Sequence, residues 1–315
     1  MQSIMSNPAQ IPVSIIIANY NSGRFLNDCI RSINTGQWPV EILVVDDCST
    51  DDSLALAKSL AAELSNVRII ALPKNGGAAA ARKIAIQEAR SEWIAIVDAD
   101  DCLEDGAVAA ALSQALQDGA DICLWQLWRF DADRRWPILS LCTEKFPISG
   151  RQALVATLGK WDLHPLGVSR RVLYAEAYSC FEETCYNADE LLTRLVFSRA
   201  GRISVCAKRY FYRLNPESVS LKKQSKHLSG LDSAIWLVNF SKQYPEVSPG
   251  LVGSRAVSCA WQIFKDRAFY GEQASRTALS GFLTYMLQYG DLKKWLWRYP
   301  RRLIQFGIIW LVYRV

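Results

Sequence analysis

Hydrophobic and polar positions follow two periods along the first hundred residues. Short apolar runs rich in β-branched residues lead into polar clusters, and stretches with apolar residues at helical spacing come next. Continuous apolar runs are typical of strands buried on both faces, and strands that alternate with helices form a parallel sheet. The pattern predicts helices beginning near residues 23, 54 and 78, and strands at residues 13–18, 41–45, 67–71 and 93–97.

The pattern is less regular after Leu103, where it predicts further helices and two strands. Strands are expected at residues 121–130 and 203–212, and helices at 104–118, 150–159, 167–177 and 189–199. From about Lys222 the pattern is helical, with breaks at Tyr244-Pro245 and Ser248-Pro249-Gly250 because proline ends a helix.

This organisation predicts an α/β fold with a helical extension. We expect a polar N-terminal tail at residues 1–10 and an α/β domain at residues 11–221, with halves at 11–105 and 106–221. A helical region then follows at residues 222–315.

Composition excludes several classes of protein. Half of the 315 residues are hydrophobic, which is too many for a disordered chain. The nine cysteines are odd in number and form no C-x-x-C pair, so neither a disulfide scaffold nor a structural zinc site is expected. The net charge of +5 lacks the dense basic patterning of a nucleic-acid binder. Residues 1–10 have no apolar core, and no uncharged apolar run reaches about 18 residues, so we expect no signal peptide and no membrane span.

Polar clusters follow three of the predicted strands, at the edge where such sheets bind ligands. They are Asn19-Tyr20-Asn21, Asp46-Asp47 and Asp98-Ala99-Asp100-Asp101. The last cluster is suited to a divalent cation with a diphosphate, or it is a solvated loop. The Asp46-Asp47 pair is suited to a nucleoside, or it caps the next helix. Asn75-Gly76-Gly77 and Arg82 are suited to phosphate, but Gly-Gly is also a common turn.

Taken in order, these segments resemble the family 2 glycosyltransferases of the GT-A fold, of the bacterial surface-glycan type. The resemblance is strong over about residues 11–105 and weaker to about residue 220. It implies a Rossmann-like, mixed but mainly parallel sheet flanked by helices. It also implies a nucleotide-sugar donor and Mn²⁺ or Mg²⁺ as the cofactor. The expected donor-binding residues are Ala18, Asn19, Tyr20, Asp46, Asp47, Asn75, Gly76, Arg82, Asp98, Ala99 and Arg213, and the expected metal ligands are Asp100 and Asp101.

The resemblance also implies a carboxylate base at the start of a later helix. The family has a Glu-Asp pair there, and Asp189 matches the Asp, whereas Ala188 fills the position of the Glu. The choice of Asp189 or Glu190 as the base therefore stays open, and both are also simple first-turn acids. Residues 210–213 and 215–220 resemble the family's closing Tyr-Tyr-Arg and Ser-Ile-Thr motifs.

The segment 292–315 has the composition of a helix at a membrane surface. It combines tryptophan, tyrosine and basic residues with an apolar run, Phe306 to Tyr313. We expect it to contact the cytoplasmic face of the inner membrane. The alternative is packing against the catalytic domain or against a second copy in a homodimer.

The leading hypothesis is an inverting, metal-dependent hexosyl- or N-acetylhexosaminyltransferase that acts on a saccharide or lipid-linked acceptor. Members of the family it resembles often act in lipopolysaccharide, O-antigen or capsule biosynthesis, so the resemblance implies such a product. Two alternatives remain. One is a catalytically inactive, membrane-associated scaffold. The other is a sugar-nucleotide pyrophosphorylase, although the Gly-rich signature of that class is absent from residues 11–31.

Overall fold

A computed structural model gives the fold of most of the chain. It describes residues 12–33, 39–139, 141, 145–159, 163–180, 188–215, 228–247, 249–288 and 299–313. The predicted tail at 1–10, most of the motif at 215–220 and residues 292–298 and 314–315 of the C-terminal segment lie outside the described residues.

The strands join in one mixed sheet. They are β1 Val13–Asn19, β2 Val40–Asp46, β3 Val67–Ala71, β4 Trp93–Ile96, β5 Cys102–Leu103, β6 Ile122–Phe130, β7 Arg135–Leu139, β8 Ile148–Ser149, β9 Gly167–Arg170 and β10 Arg202–Arg213. The order in the sheet is β3-β2-β1-β4-β9-β6-β10-β5, with β7 paired to β6 and β8 paired to β10. The four strands β3, β2, β1 and β4 are mutually parallel, and β6 is parallel to β10.

Helices alternate with strands in the first half and follow one another in the last third. They are α1 Gly23–Ser32, α2 Ser53–Glu63, α3 Ala78–Glu88, α4 Ala107–Asp118, α5 Gly150–Gly159, α6 Arg171–Ser179, α7 Ala188–Arg199, α8 Gly230–Ser241, α9 Pro249–Lys265, α10 Arg267–Tyr270, α11 Glu272–Gln288 and α12 Pro300–Tyr313. These elements form an α/β fold with a mainly parallel sheet flanked by helices, and further helices follow at the C-terminal end. The predicted fold class is therefore confirmed.

One predicted element is wrong. The segment 167–177 was expected to be a single helix, but Gly167–Arg170 forms strand β9, antiparallel to both β4 and β6. The cause is a close backbone contact, since a Cβ on Gly167 would lie 2.1 Å from the carbonyl oxygen of Cys123. Only glycine fits there, and the helix begins at Arg171. Strand β7 was not predicted at all.

The chain divides into two compact units. The first comprises Met1–Leu154, Asp162–Glu183 and Leu192–Pro216, and it contains the whole sheet. Its core is apolar, and its fully buried side chains include Ile15, Ile17, Val44 and Trp125. The second comprises Val155–Trp161, Thr184–Leu191 and Glu217–Val315. The domain boundaries expected from the sequence remain a prediction.

In the second unit α12 has two apolar faces. Its inner residues Phe306, Ile309 and Tyr313 are buried, and the Tyr313 ring packs edge-on against Phe264 of α9. Its outer face exposes Ile304, Ile308 and Leu311 at helical spacing. No described helix is long and apolar enough to cross a membrane.

Candidate functional site

The ends of β1 and β2 are joined by a buried polar network. The Asn19 side-chain amide donates to Asp46 Oδ1 at 2.7 Å, and the Asp47 amide donates to the Asn19 carbonyl at 2.8 Å. Asp46 also accepts from the amide and the hydroxyl of Ser49. Tyr20 is exposed beside this network. The expected residues Ala18, Asn19, Tyr20, Asp46 and Asp47 are therefore together at one edge of the sheet, and Ser49 is a partner that the sequence reasoning missed.

Asp47 also holds the glycine turn before α3. Its Oδ1 accepts the Gly76 N–H and its Oδ2 accepts the Gly77 N–H, both at 2.7 Å. The Asn75 side chain donates to the Asp47 carbonyl at 3.1 Å. Gly77 has a φ of 87°, which non-glycine residues rarely adopt, so the turn requires glycine there. The two predicted clusters at 46–47 and 75–77 thus form one structural unit.

Arg82 and Asp98 form an ion pair at the end of β4. The guanidinium of Arg82 on α3 lies 2.7 Å from Asp98 Oδ1, and the arginine side chain is mostly buried. This pair brings the Asn-Gly-Gly helix and the aspartate loop to the same edge of the sheet. Ala99, the neighbour of Asp98 in the expected donor set, is buried within the loop.

The last two aspartates of the loop have different environments. Asp101 is buried, and its two oxygens accept from the Tyr210 hydroxyl at 2.6 Å and from the Arg213 amide at 2.7 Å. Burial and the nearby Asp98 carboxylate raise the pKa of Asp101 to about 8. Asp100 is less enclosed, and its Oδ2 accepts from the Asn215 amide at 3.4 Å.

Burial and the charge of Asp98 also raise the pKa of Asp100, against the opposing effects of the Asn215 hydrogen bond and the Arg213 charge. A divalent cation would further stabilise the ionised form, and a carboxylate is a suitable ligand for it. Asp100 fits such a role better than Asp101, because protein donors occupy both oxygens of Asp101. Among the described residues, no group of three or more His, Cys, Asp or Glu side chains is arranged as a metal site.

Arg213 connects the aspartate loop to α1. Its Nε donates to the Asp100 carbonyl at 2.7 Å, and its guanidinium lies over the rings of Phe25 and Phe130. A neighbouring hydrogen bond joins Arg24 to Asn215 at 2.9 Å. Arg213 thus holds the aspartate loop through its Nε and its backbone N–H, and its expected part in donor binding stays a prediction.

The expected base candidates begin α7. Asp189 and Glu190 both lie in its first turn. Glu190 is ion-paired with Arg255 of α9 at 2.6 Å, within the second unit, and its side chain is about 20% exposed. A cavity of about 120 Å³ adjoins this pair and is lined by Glu190, Leu237, Arg255 and Cys259 among others.

Known proteins share this fold and parts of this sequence. Residues 14–169 match the sequence model of the Glycosyl transferase family 2. Glycosyltransferase GlyG of Streptococcus pneumoniae is 30% identical over 38% of this chain and 40% of its own. The poly(ribitol-phosphate) β-N-acetylglucosaminyltransferase TarS of Staphylococcus aureus is 27% identical over 69% of this chain and 36% of its own.

Solved structures agree on the fold. Residues 1–349 of S. aureus TarS, in complex with UDP-GlcNAc, superpose with a TM-score of 0.64 at 19% identity, over 87% of this chain and 81% of that one. Likeness at this identity establishes a GT-A fold. The chain spans only about two fifths of the length of the two curated relatives. Its sheet, its ordered motifs and the family match together show that the chain belongs to glycosyl transferase family 2.

Proposed function

We propose that the chain is an inverting, metal-dependent glycosyltransferase. It would move a hexosyl or N-acetylhexosaminyl group from a nucleotide-diphosphate donor to a saccharide or lipid-linked acceptor in surface-polysaccharide synthesis. The observation that carries the proposal is the Arg82–Asp98 pair, which brings the glycine turn held by Asp47 beside the aspartate loop. The UDP-GlcNAc complex of TarS supports UDP as the nucleotide. The names of other relatives, such as the chondroitin synthase of Escherichia coli, support the polysaccharide product.

The donor would occupy the edge of the sheet where the polar residues meet. Asn19, Tyr20, Asp46 and Asp47 are assigned to the nucleoside, and Asp98 to the ribose or sugar. Arg82 is ion-paired with Asp98, so its charge balances that of the carboxylate. It is also assigned to a phosphate of the donor. The amides of the glycine turn are already used by Asp47, so Asn75 and Gly76 are assigned to shaping the pocket.

Asp100 is the assigned metal ligand, with Asp101 in a supporting role. Protein donors occupy both Asp101 oxygens, and the remaining ligands would be diphosphate oxygens. A bound Mg²⁺ or Mn²⁺ supplies charge stabilisation for the departing nucleoside diphosphate. Two residues hold Asp100 in place. Arg213 at the end of β10 donates to its carbonyl, and Asn215 donates to its carboxylate.

Asp189 is the assigned base. It would accept the proton of the acceptor hydroxyl as that oxygen attacks the anomeric carbon, and a single displacement inverts that carbon. Asp189 is preferred because it matches the aspartate of the family's Glu-Asp pair. Glu190, the alternative base, forms an ion pair with Arg255.

The outer face of α12 is assigned to the cytoplasmic surface of the inner membrane. Ile304 and Leu311 are each 63% exposed, and Arg301 and Arg302 stand in the first turn of the same helix. Apolar side chains with adjacent cations suit an anionic lipid surface. Such a location would suit a lipid-linked acceptor. A homodimer through the same face is the competing arrangement.

The test is a thermal-shift titration of the full chain with UDP, GDP, CDP and dTDP, with and without Mn²⁺. Binding to the native state alone raises the melting temperature with the logarithm of the ligand's excess over its Kd. A shift that occurs with one nucleotide and requires metal is expected. Asp100→Ala should weaken the metal-dependent part of that shift. The absence of any nucleotide shift on folded protein would remove the donor site and favour the scaffold alternative.

A further inference from the structure

Arg129 is a cation beside the aspartate loop to which no role has been assigned. It lies on β6, in register with Tyr212 of β10 and with Trp136 of β7. Residues opposite one another in a sheet point to the same face. The Arg129 guanidinium stands 5.8 Å from the centre of the Tyr212 ring, on a face that it shares with both aromatic rings.

This face continues to the proposed metal site. Tyr210 and Tyr212 are two residues apart on β10 and so share a face, and the Tyr210 hydroxyl donates to Asp101. The pKa of Tyr212 is raised by burial and then by the charges of Asp101, Asp100 and Asp98. Arg129 therefore stands next to the position expected for the diphosphate and the reacting sugar.

Arg129 lacks the partners that an arginine normally has. Within the described part of the chain its guanidinium forms no ion pair with a carboxylate, and its Nε is buried without a hydrogen-bond acceptor. Leaving a buried donor without an acceptor is destabilising, so such groups are normally satisfied. Neighbouring arginines are different: Arg209 lies 3.8 Å from Glu104, and Arg134 lies 3.4 Å from Asp131.

We propose that Arg129, between Tyr212 and Trp136, forms a phosphate-binding subsite that completes its hydrogen bonds with substrate oxygens. Guanidinium groups bind phosphate through paired N–H donors, and the flanking rings offer surfaces on which a sugar can stack. The phosphate belongs either to the nucleotide donor or to a phosphate-bearing acceptor, and the chemistry at Arg129 is the same for both. The inference rests on the proposed function only for the identity of that substrate.

The first arm measures the affinity of UDP and of uridine by calorimetry with Mn²⁺ present. If the donor supplies the phosphate, Arg129→Gln should weaken UDP binding about 10- to 100-fold, the range for a charge-assisted hydrogen bond, and leave uridine unchanged. Arg129→Lys should recover part of the loss, since it keeps the charge without the paired geometry.

The second arm titrates methyl phosphate into protein saturated with UDP and Mn²⁺, and follows the NMR chemical shifts of the Trp indole N–H groups. If the acceptor supplies the phosphate, methyl phosphate should bind the UDP-loaded wild-type protein and should not bind Arg129→Gln. The matched control is Arg135→Gln. The guanidinium of Arg135 lies 4.6 Å from the centre of the Phe211 ring, on the opposite face of the sheet. Replacing Arg135 should therefore change neither affinity.

Equal affinities of wild-type and Arg129→Gln proteins for both UDP and methyl phosphate would overturn the subsite. The same result in Arg135→Gln as in Arg129→Gln would also overturn it, because the effect would then be one of net charge. A wild-type protein that binds methyl phosphate through Arg129 but no nucleotide would retain the subsite and refute the proposed function.

Discussion

Replacing Asp189 by Asn removes one carboxylate from the first turn of α7 with almost no change in volume. The neighbouring change Glu190→Gln is its matched control, because it makes the same chemical substitution one residue away on the same helix. If Asp189 is the base, the two variants should differ in rate and not in fold. Glu190→Gln removes the ion pair that the Glu190 carboxylate forms with Arg255 at 2.6 Å.

The expected rate losses follow from the role assigned to each carboxylate. General-base catalysis contributes about 10²- to 10⁴-fold, so Asp189→Asn should lower kcat by that factor, equivalent to about 2.7–5.5 kcal/mol. The affinity for UDP should change less than about threefold, since the base acts in the transition state. Glu190→Gln breaks a partly exposed ion pair worth about 1 kcal/mol or less, so it should lower stability slightly and kcat by less than about fivefold.

The assay is release of UDP from UDP-GlcNAc or UDP-glucose with water as the acceptor, which requires no knowledge of the natural acceptor. Melting temperatures of both variants establish that each is folded. A rate loss in Glu190→Gln with an active Asp189→Asn would exchange the two roles. Full activity in both variants would refute a base on α7.

Three further outcomes are expected. Burial lowers the pKa of His164 to about 4 against an unfolded value of about 6.5, so its contribution to stability is present above pH 6.5 and is lost as the pH falls toward 4. The difference in unfolding free energy between wild type and His164→Gln, measured by urea titration, should therefore fall by about 2 kcal/mol between pH 7.5 and 5. Titratable groups common to both proteins cancel in this difference. A difference that does not change with pH would contradict the lowered pKa of His164. Asp47→Asn should destabilise the fold by about 1–3 kcal/mol in the same assay, because an amide can accept only one of the two glycine N–H bonds, and an unchanged unfolding midpoint would argue against that bracing. Ile304→Ser with Leu311→Ser should weaken binding to vesicles of phosphatidylglycerol roughly tenfold or more, whereas Val172→Ser, at a position 56% exposed on α6, should not; loss of a dimer in light scattering instead would identify a second copy as the partner.

Sequence patterns predicted the first half of the fold well for a physical reason. Strands β1 to β4 are continuous apolar runs, and the helices between them carry apolar residues at helical spacing, so local pattern and final structure agree. The polar clusters were located because parallel strands end at one edge of the sheet.

Contacts between distant segments were not predictable in the same way. Strand β9 depends on the close approach of Gly167 to Cys123, which no local pattern indicates. The separate environments of Asp100 and Asp101 depend on Tyr210 and Arg213, more than a hundred residues later. The partner of Glu190 lies 65 positions away on another helix, so the sequence left the choice of base open.

The anchoring of Asp101 by β10 has a consequence for the order in which the protein acquires its site during synthesis. The ribosome releases the glycine turn and the aspartate loop early, but the Tyr210 hydroxyl and the Arg213 amide that hold Asp101 emerge only later. A nascent chain that ends near residue 169, where the family match ends, already contains β1 to β4 and has no anchor for the loop. The metal-dependent part of nucleotide affinity should therefore arise late, when β10 pairs with β6.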